Sequence, residues 1–121
     1  MKRRQVASGA LWEDRVGYSR AVAVGRHAWI SGTVGEGETP YEQSLDSLRR
    51  CLAALEDLGF QAEDVVRTRA FVVDISKWNE VGRAHAEIFG EIRPATTMVQ
   101  VAALIDPKYL VEFEVEAYKV D

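Results

Sequence analysis

Val111-Glu112-Phe113-Glu114-Val115-Glu116-Ala117-Tyr118 alternates apolar and polar residues without a break. Successive side chains of a strand point to opposite faces. Val111, Phe113, Val115 and Ala117 therefore share one face, and Glu112, Glu114, Glu116 and Tyr118 the other. The apolar face needs a cover, and the three carboxylates need either water or cationic neighbours. Val65 to Val73 alternates in the same way, setting Val66, Thr68, Ala70 and Val72 against Arg67, Arg69, Phe71 and Val73. If the arginine set shares the carboxylate face, cross-strand Arg–Glu pairs contribute roughly 0.2–1 kcal/mol each, whereas directly opposed carboxylates are costly.

Two helical segments can supply the cover. Between Tyr41 and Leu58, Leu45, Leu48, Leu52 and Leu55 recur at helical spacing, with Cys51 and Leu58 beside them. Thr39 is placed to cap this helix, Pro40 suits its first position, Glu42 follows three residues after the cap, and Gly59 stops it. Asp74 to Gly90 reads as a second helix, capped at Asp74 or Ser76, with Trp78, Val81, His85 and Ile88 along one side and Phe89 adjacent. Arg20–Val24 and His27–Gly32 form a hairpin about Gly25-Arg26. Ala95–Ala103 and Leu110–Val120 are strands joined across Asp106-Pro107.

The resulting order is β-β-α-β-α-β-β, with room for a further strand at the N-terminus. Two helices over one face of a mixed sheet make a two-layer α+β sandwich. On the uncovered face we expect Phe71, Tyr118 and the set Thr96, Met98 and Gln100 among charges of both signs. Such a face is either solvated or an assembly surface, and its aromatic residues favour assembly.

Composition narrows the function. With 121 residues, the chain is expected to form a single domain over residues 1–121. That size leaves little interior for a deep cavity, so a small-molecule pocket belongs at a subunit interface. The net charge of −4 argues against nucleic acid as a partner, since a phosphate backbone calls for a basic surface. No apolar run approaches the roughly 20 residues that cross a bilayer, and no secretory signal is visible, so a cytoplasmic protein without membrane attachment is expected. One cysteine, Cys51, and two histidines, His27 and His85, without a carboxylate cluster argue against a metal site. Gly35-Glu36-Gly37-Glu38 lacks the Lys-Ser/Thr of a phosphate loop. Trp12 could fold over a cleft.

Several stretches, in order, resemble the RidA (YjgF, endoribonuclease L-PSP) family of reactive-intermediate deaminases. They are Gly17-Tyr18-Ser19, Trp29-Ile30-Ser31-Gly32, Glu42-Gln43-Ser44, Asp64 to Asp74, Arg93-Pro94-Ala95-Thr96-Thr97-Met98-Val99-Gln100-Val101 and Val111 to Ala117. The resemblance implies a chorismate-mutase-like fold and a homotrimer with clefts between subunits. It also implies hydrolysis of enamines or imines to carbonyl compounds and ammonia, with no metal or organic cofactor. By the same resemblance Glu114 is the carboxylate that activates water, Tyr18 closes the cleft, and Ser31, Gly32, Phe89 and the backbone near Met98 line it.

One position departs. Deaminating members carry an arginine after Pro-Ala, where this chain has Thr96. A guanidinium fork matches a carboxylate in bidentate fashion, and charge-assisted bonds of that kind are worth about 1.5–3 kcal/mol each. Three readings follow: an imine held by some other group, a metabolite-binding protein without deaminase activity, or replacement of the lost charge by Arg67 or Arg69. Glu114 could equally be no more than the cross-strand partner of one of those arginines.

Overall fold

A computed structural model describes residues 1–120. The elements are β1 (Arg3–Val6), α1 (Leu11–Val16), β2 (Ala21–Val24), β3 (His27–Val34), α2 (Pro40–Asp57), β4 (Val65–Val72), α3 (Trp78–Phe89), β5 (Ala95–Gln100) and β6 (Val111–Tyr118). The sheet order is β1-β2-β3-β6-β4-β5. The alternating strand β6 is thus central, antiparallel to both β3 and β4. Its residues Val111, Phe113, Val115 and Ala117 are buried at the heart of the core, beneath Leu48, Leu55, Val81 and Phe89 of the two helices. Among the described residues only β4 and β5 run parallel. Such a pair needs a crossover, and α3 is that crossover. The architecture is the expected two-layer α+β fold. Among the described residues no helix is long and apolar enough to cross a membrane.

The local readings for α2 hold. The Thr39 hydroxyl accepts the Glu42 N–H at 3.1 Å, Pro40 opens the helix, and Gly59 ends it at φ 84°. The face nearest the sheet is smaller than the leucine stripe suggested. Ser44, Ser47, Cys51 and Ala54 are buried with Leu48 and Leu55, while Leu45 and Leu52 are only half buried. Small residues let α2 approach β3 closely, and Ser47 Oγ donates to Thr33 O at 2.7 Å.

Four expectations change. The segment before β2 contains a short helix, α1, followed by Gly17 at φ 86°. Trp78 does not pack; it is 61% exposed, because Asp74 caps a 3₁₀ turn, Ile75–Lys77, that swings the start of α3 outward. An irregularity between Val65 and Arg67 buries Val65 and leaves Val66 on the surface. Finally, Thr96 and Met98 pair in parallel register with Thr68 and Ala70, so they share the helix-covered side; the uncovered side receives Ala95, Thr97 and Val99 beside Arg67, Arg69 and Phe71. Parity alone cannot place a strand on a face; the partner's register decides it.

Candidate functional site

The uncovered face carries the carboxylate row as expected. Arg67 stands opposite Glu116, Arg69 opposite Glu114 and Phe71 opposite Glu112. Arg69 Nη1 lies 3.1 Å from Glu114 Oε1 and 3.2 Å from Glu116 Oε1, with the three side chains 38%, 36% and 28% exposed. Arg69 therefore bridges the two carboxylates in a shallow dimple floored by Trp29 and Ser31. Trp29 stacks on His27 at 3.9 Å, and Tyr118 meets that ring edge-on at 6.1 Å.

Opposite Glu114, β3 carries an extra residue. Ile30 pairs with Val115 and Thr33 with Phe113, so Ser31 and Gly32 together face one residue of β6. This is a β-bulge, a device that re-aims a strand next to functional sites. Arg20 holds it. Its Nη1 donates to Gly32 O and to Thr33 Oγ1, both at 2.7 Å, and Ser31 Oγ donates to Ser19 O at 2.7 Å. Nη2 reaches the Tyr18 hydroxyl at 3.3 Å. Behind Arg20 lies Glu13 at 3.9 Å, a buried carboxylate. Burial pushes its pKa up, but the Ser8 hydroxyl and N–H, with Arg20, outweigh burial and hold it below the usual 4.5.

Tyr18, Arg20, Gly32 and Glu112 line a cleft of about 430 Å³, walled farther out by Trp12 and Tyr109. Burial raises the Glu112 carboxyl above its ordinary range; Arg20 opposes that rise and Glu114 adds to it. A methyl group on Gly32 would approach the Glu112 carboxylate carbon to 2.9 Å, so that side chain would have to swing aside to admit it.

The remaining predicted residues lie elsewhere. Thr96 is exposed on the edge strand β5. Its Oγ1 accepts a hydrogen bond from the fully buried Thr68 at 2.7 Å, and Thr68 Oγ1 sits 2.8 Å from His85 Nε2. Burial lowers the His85 pKa below 6.5, so the ring is neutral near neutral pH. Met98 is half buried against the core. Phe89 is 1% exposed, 4.9 Å from the His85 ring; in the single chain it is a core residue and walls no open cleft. Arg93 Nε donates to Gly90 O at 3.0 Å, tying that arginine to the end of α3.

Glu114 and Thr96 thus point to opposite sides of the sheet, on strands separated by β4. Apart from the buried Phe89, the predicted residues fall into two groups that cannot meet within one chain: one around the bulge, where Tyr18 and Gly32 line the cleft and Ser31 and Glu114 the neighbouring dimple, and Thr96-Met98 at the β5 edge. Arg69 answers the carboxylate row and does not reach the vicinity of Thr96. Sequence reasoning missed Arg20, Glu112 and Glu13. Arg20 stands two residues after Tyr18, on the same parity leading into β2, which was the available sign that both face one cleft.

Comparison with known proteins follows this geometry. The family model described as endoribonuclease L-PSP matches residues 12–119. A Mycobacterium tuberculosis structure of the YjgF/YER057c/UK114 family superposes with a TM-score of 0.96 at 51% identity, covering 98% of this chain and 100% of that one. An uncharacterized protein of Streptomyces coelicolor is 40% identical over 124 residues, 96% of this chain and 92% of its own. The human 2-iminobutanoate/2-iminopropanoate deaminase is 31% identical over 110 residues, 84% of this chain and 80% of its own. With a family model matched over residues 12–119 and relatives of 31–51% identity along most of its length, the chain belongs to the YjgF/RidA family.

Proposed function

We propose that this chain assembles as a homotrimer, binds a small metabolite in clefts completed between copies, and hydrolyses an imine or enamine there to a carbonyl compound and ammonia. The observation that carries this reading is the division of the site. The bulge group of one copy and the β5-edge group of another lie on different surfaces of the chain. A contact joining them is heterologous, and a heterologous contact that closes makes a ring. The uncovered face supplies apolar area for it: Trp29, Val99 and Tyr118 are 41%, 42% and 45% exposed. The name of the human relative supports imine chemistry.

In the proposed reaction Glu114 accepts a proton from a water, whose oxygen adds to the C=N carbon. The proton passes to nitrogen, giving a carbinolamine; its hydroxyl proton is then relayed to the same nitrogen, the C–N bond breaks, and ammonia leaves as the carbonyl forms. Arg69 occupies Oε1 of Glu114, which leaves Oε2 to hold water. General base assistance of this kind contributes typically ~10²–10⁴-fold. Thr96 supplies no guanidinium, so the substrate is one not anchored by a carboxylate fork. The ion pair of Arg69 with Glu114 also favours a second reading, a metabolite-binding protein without turnover.

The test uses purified protein at micromolar concentration. Light scattering should give a trimer, and a mass near 13.5 kDa overturns the assembly. Decay of a neutral imine should accelerate, and Glu114→Gln should lose roughly 100-fold or more of that acceleration. If neither a neutral imine nor 2-aminoacrylate generated in situ decays faster, hydrolysis is wrong and the binding reading stands.

A further inference from the structure

We infer that the cleft beside the bulge binds a planar cation, an amidinium or guanidinium group, which the Glu112 carboxylate holds in a fork beside the Trp12 ring. Every residue of its lining belongs to one chain, so the site requires neither the assembly nor the hydrolysis proposed above. Charge selects the sign of the ligand. Among the described residues four charged ones line the cleft, Arg20, Arg50, Asp57 and Glu112. Both arginines are engaged. Arg20 donates to Gly32 O, Thr33 Oγ1 and the Tyr18 hydroxyl, and its Nε lies 3.9 Å from Glu13. Arg50 pairs with Asp46 at 2.9 Å and donates to Val34 O at 3.2 Å. Arg69 is bonded to Glu114 and Glu116 in the neighbouring dimple, outside this cleft. The two carboxylates are not engaged: among the described residues no hydrogen bond or ion pair reaches Glu112 or Asp57. With Glu13 and Asp46 answering the arginines, Glu112 and Asp57 leave the cleft acidic. Burial raises the Glu112 carboxyl, and Arg20 opposes that rise only from beyond ion-pair distance. A bound cation offsets the cost of burying that charge, and an anion adds to it.

Geometry selects a planar cation over a compact ammonium. A methyl group on Gly32 would lie 2.9 Å from the Glu112 carboxylate carbon and 3.0 and 3.2 Å from its two oxygens. Three nearly equal distances mean that the half-buried carboxylate lies flat against the glycine. Its face is covered there, and the edges of both oxygens stay open to donors in its plane, the direction such oxygens favour. Two parallel N–H groups on one planar cation meet both edges together, as a guanidinium meets a carboxylate. Trp12, which is 43% exposed, and Tyr109 wall the outer cleft. Delocalised cations stack on such rings and part with water more readily than an ammonium does. Arg15 already sets its guanidinium over the Trp12 ring at 5.9 Å, from outside the cleft. The volume of about 430 Å³ lies within the usual range of small-ligand sites and admits a ring carrying such a group.

Benzamidine, benzamide and benzoate share a ring and differ in the charge of the attached group, so they serve as probes, titrated by NMR against the intact protein. Binding is read from the indole N–H resonances, with the Trp12 signal identified by its loss in Trp12→Phe. Benzamidine should shift Trp12 saturably, with a Kd of about 1 mM or tighter, and leave Trp29 and Trp78 in place. Benzamide should bind at least about ten-fold more weakly, and benzoate more weakly still. Glu112→Gln keeps the shape of the side chain and should weaken benzamidine about ten-fold or more. Trp12→Ala should weaken it about three-fold. Ala53→Lys, exposed on α2 four residues before Asp57, adds a cation to the cleft and should also weaken it about three-fold. The inference is overturned by no saturable Trp12 shift up to about 10 mM benzamidine, by benzamide or benzoate binding as tightly, by parental affinity in either Glu112→Gln or Ala53→Lys, or by a shift confined to Trp29, which places the ligand in the dimple. Benzamidine binding without imine turnover refutes only the hydrolase reading; turnover without benzamidine binding refutes only this one.

Discussion

Replacing Gln43 with leucine removes a clamp at nearly constant volume. Gln43 is 3% exposed at the start of α2. Its Nε2 donates to Gly37 O at 3.1 Å and to Lys108 O at 2.9 Å, and its Oε1 accepts the Leu110 N–H at 2.8 Å. One side chain therefore ties the loop before α2 to the segment entering β6. A typical hydrogen bond contributes about 0.5–1.5 kcal/mol net, so three give an upper figure of roughly 4 kcal/mol. Gly37 and Lys108 are exposed residues whose carbonyls water can reach, while Leu110 is half buried. Counting the Leu110 N–H fully and the carbonyls at a fraction gives about 2 kcal/mol. For a domain of this size that lowers Tm by about 6–8 °C. Urea unfolding measures the stability loss, and hydrogen exchange at the Leu110 amide locates it. Gln43→Glu should also destabilise, since a carboxylate can accept from Leu110 but repels the two carbonyls. A loss under about 0.5 kcal/mol with unchanged Leu110 protection would refute the clamp.

Four further outcomes are expected. Cys51 is fully buried and its thiol is pushed up to about 12, so a disulfide reagent at pH 8 should label the native protein only at the rate of unfolding; fast native labelling contradicts that burial. Glu13 sits below its ordinary 4.5 and His85 below 6.5 when folded, so the unfolded chain binds more protons in both windows. Stability should fall as pH drops below 6.5 and again below 4.5, and Glu13→Gln should flatten the lower limb of urea midpoints measured against pH. Glu112, raised when folded, opposes this trend above 4.5, so Glu112→Gln should steepen the net rise of stability with pH there. Gly35→Ala would place its methyl 2.5 Å from both Gln43 O and Ser47 N of the α2 backbone. Overpacking of this kind typically costs about 1–3 kcal/mol, read by thermal melts, and an unchanged Tm would show that α2 can retreat from β3.

The alternation of β6, the cap at Thr39 and the stop at Gly59 are local patterns, and the structure reproduces them because local chemistry decides them. The cover of β6 by two helices followed for the same reason. The faces of Thr96 and Met98 were not legible, because they depend on the parallel register of β5 against β4, a pairing between segments far apart in the chain. The burial of Phe89 and the exposure of Trp78 depend on how a 3₁₀ turn sets the rotation of α3, which periodicity does not report. Around the bulge, the resemblance named Tyr18, Ser31, Gly32 and Glu114, and the structure places Ser31 and Gly32 opposite Glu114 with Tyr18 reached by Arg20. Arg20 had only its shared parity with Tyr18 to mark it, and an arginine at a strand entrance looks like a surface residue until its three acceptors at the bulge are seen.

The bulge makes the length of β3 a matter of phase. Ile30 and Thr33 both face the helices although they stand three residues apart, because Ser31 and Gly32 together take one place opposite Glu114. Removing either of the two would restore strict alternation and leave Thr33 opposite Phe113, so the second half of the strand would keep its sides. What such a deletion would take away is the bulge itself, and with it the carbonyl that Arg20 clasps at Gly32. The extra residue is therefore dispensable to the core and is spent wholly on the shape of the open side of the strand.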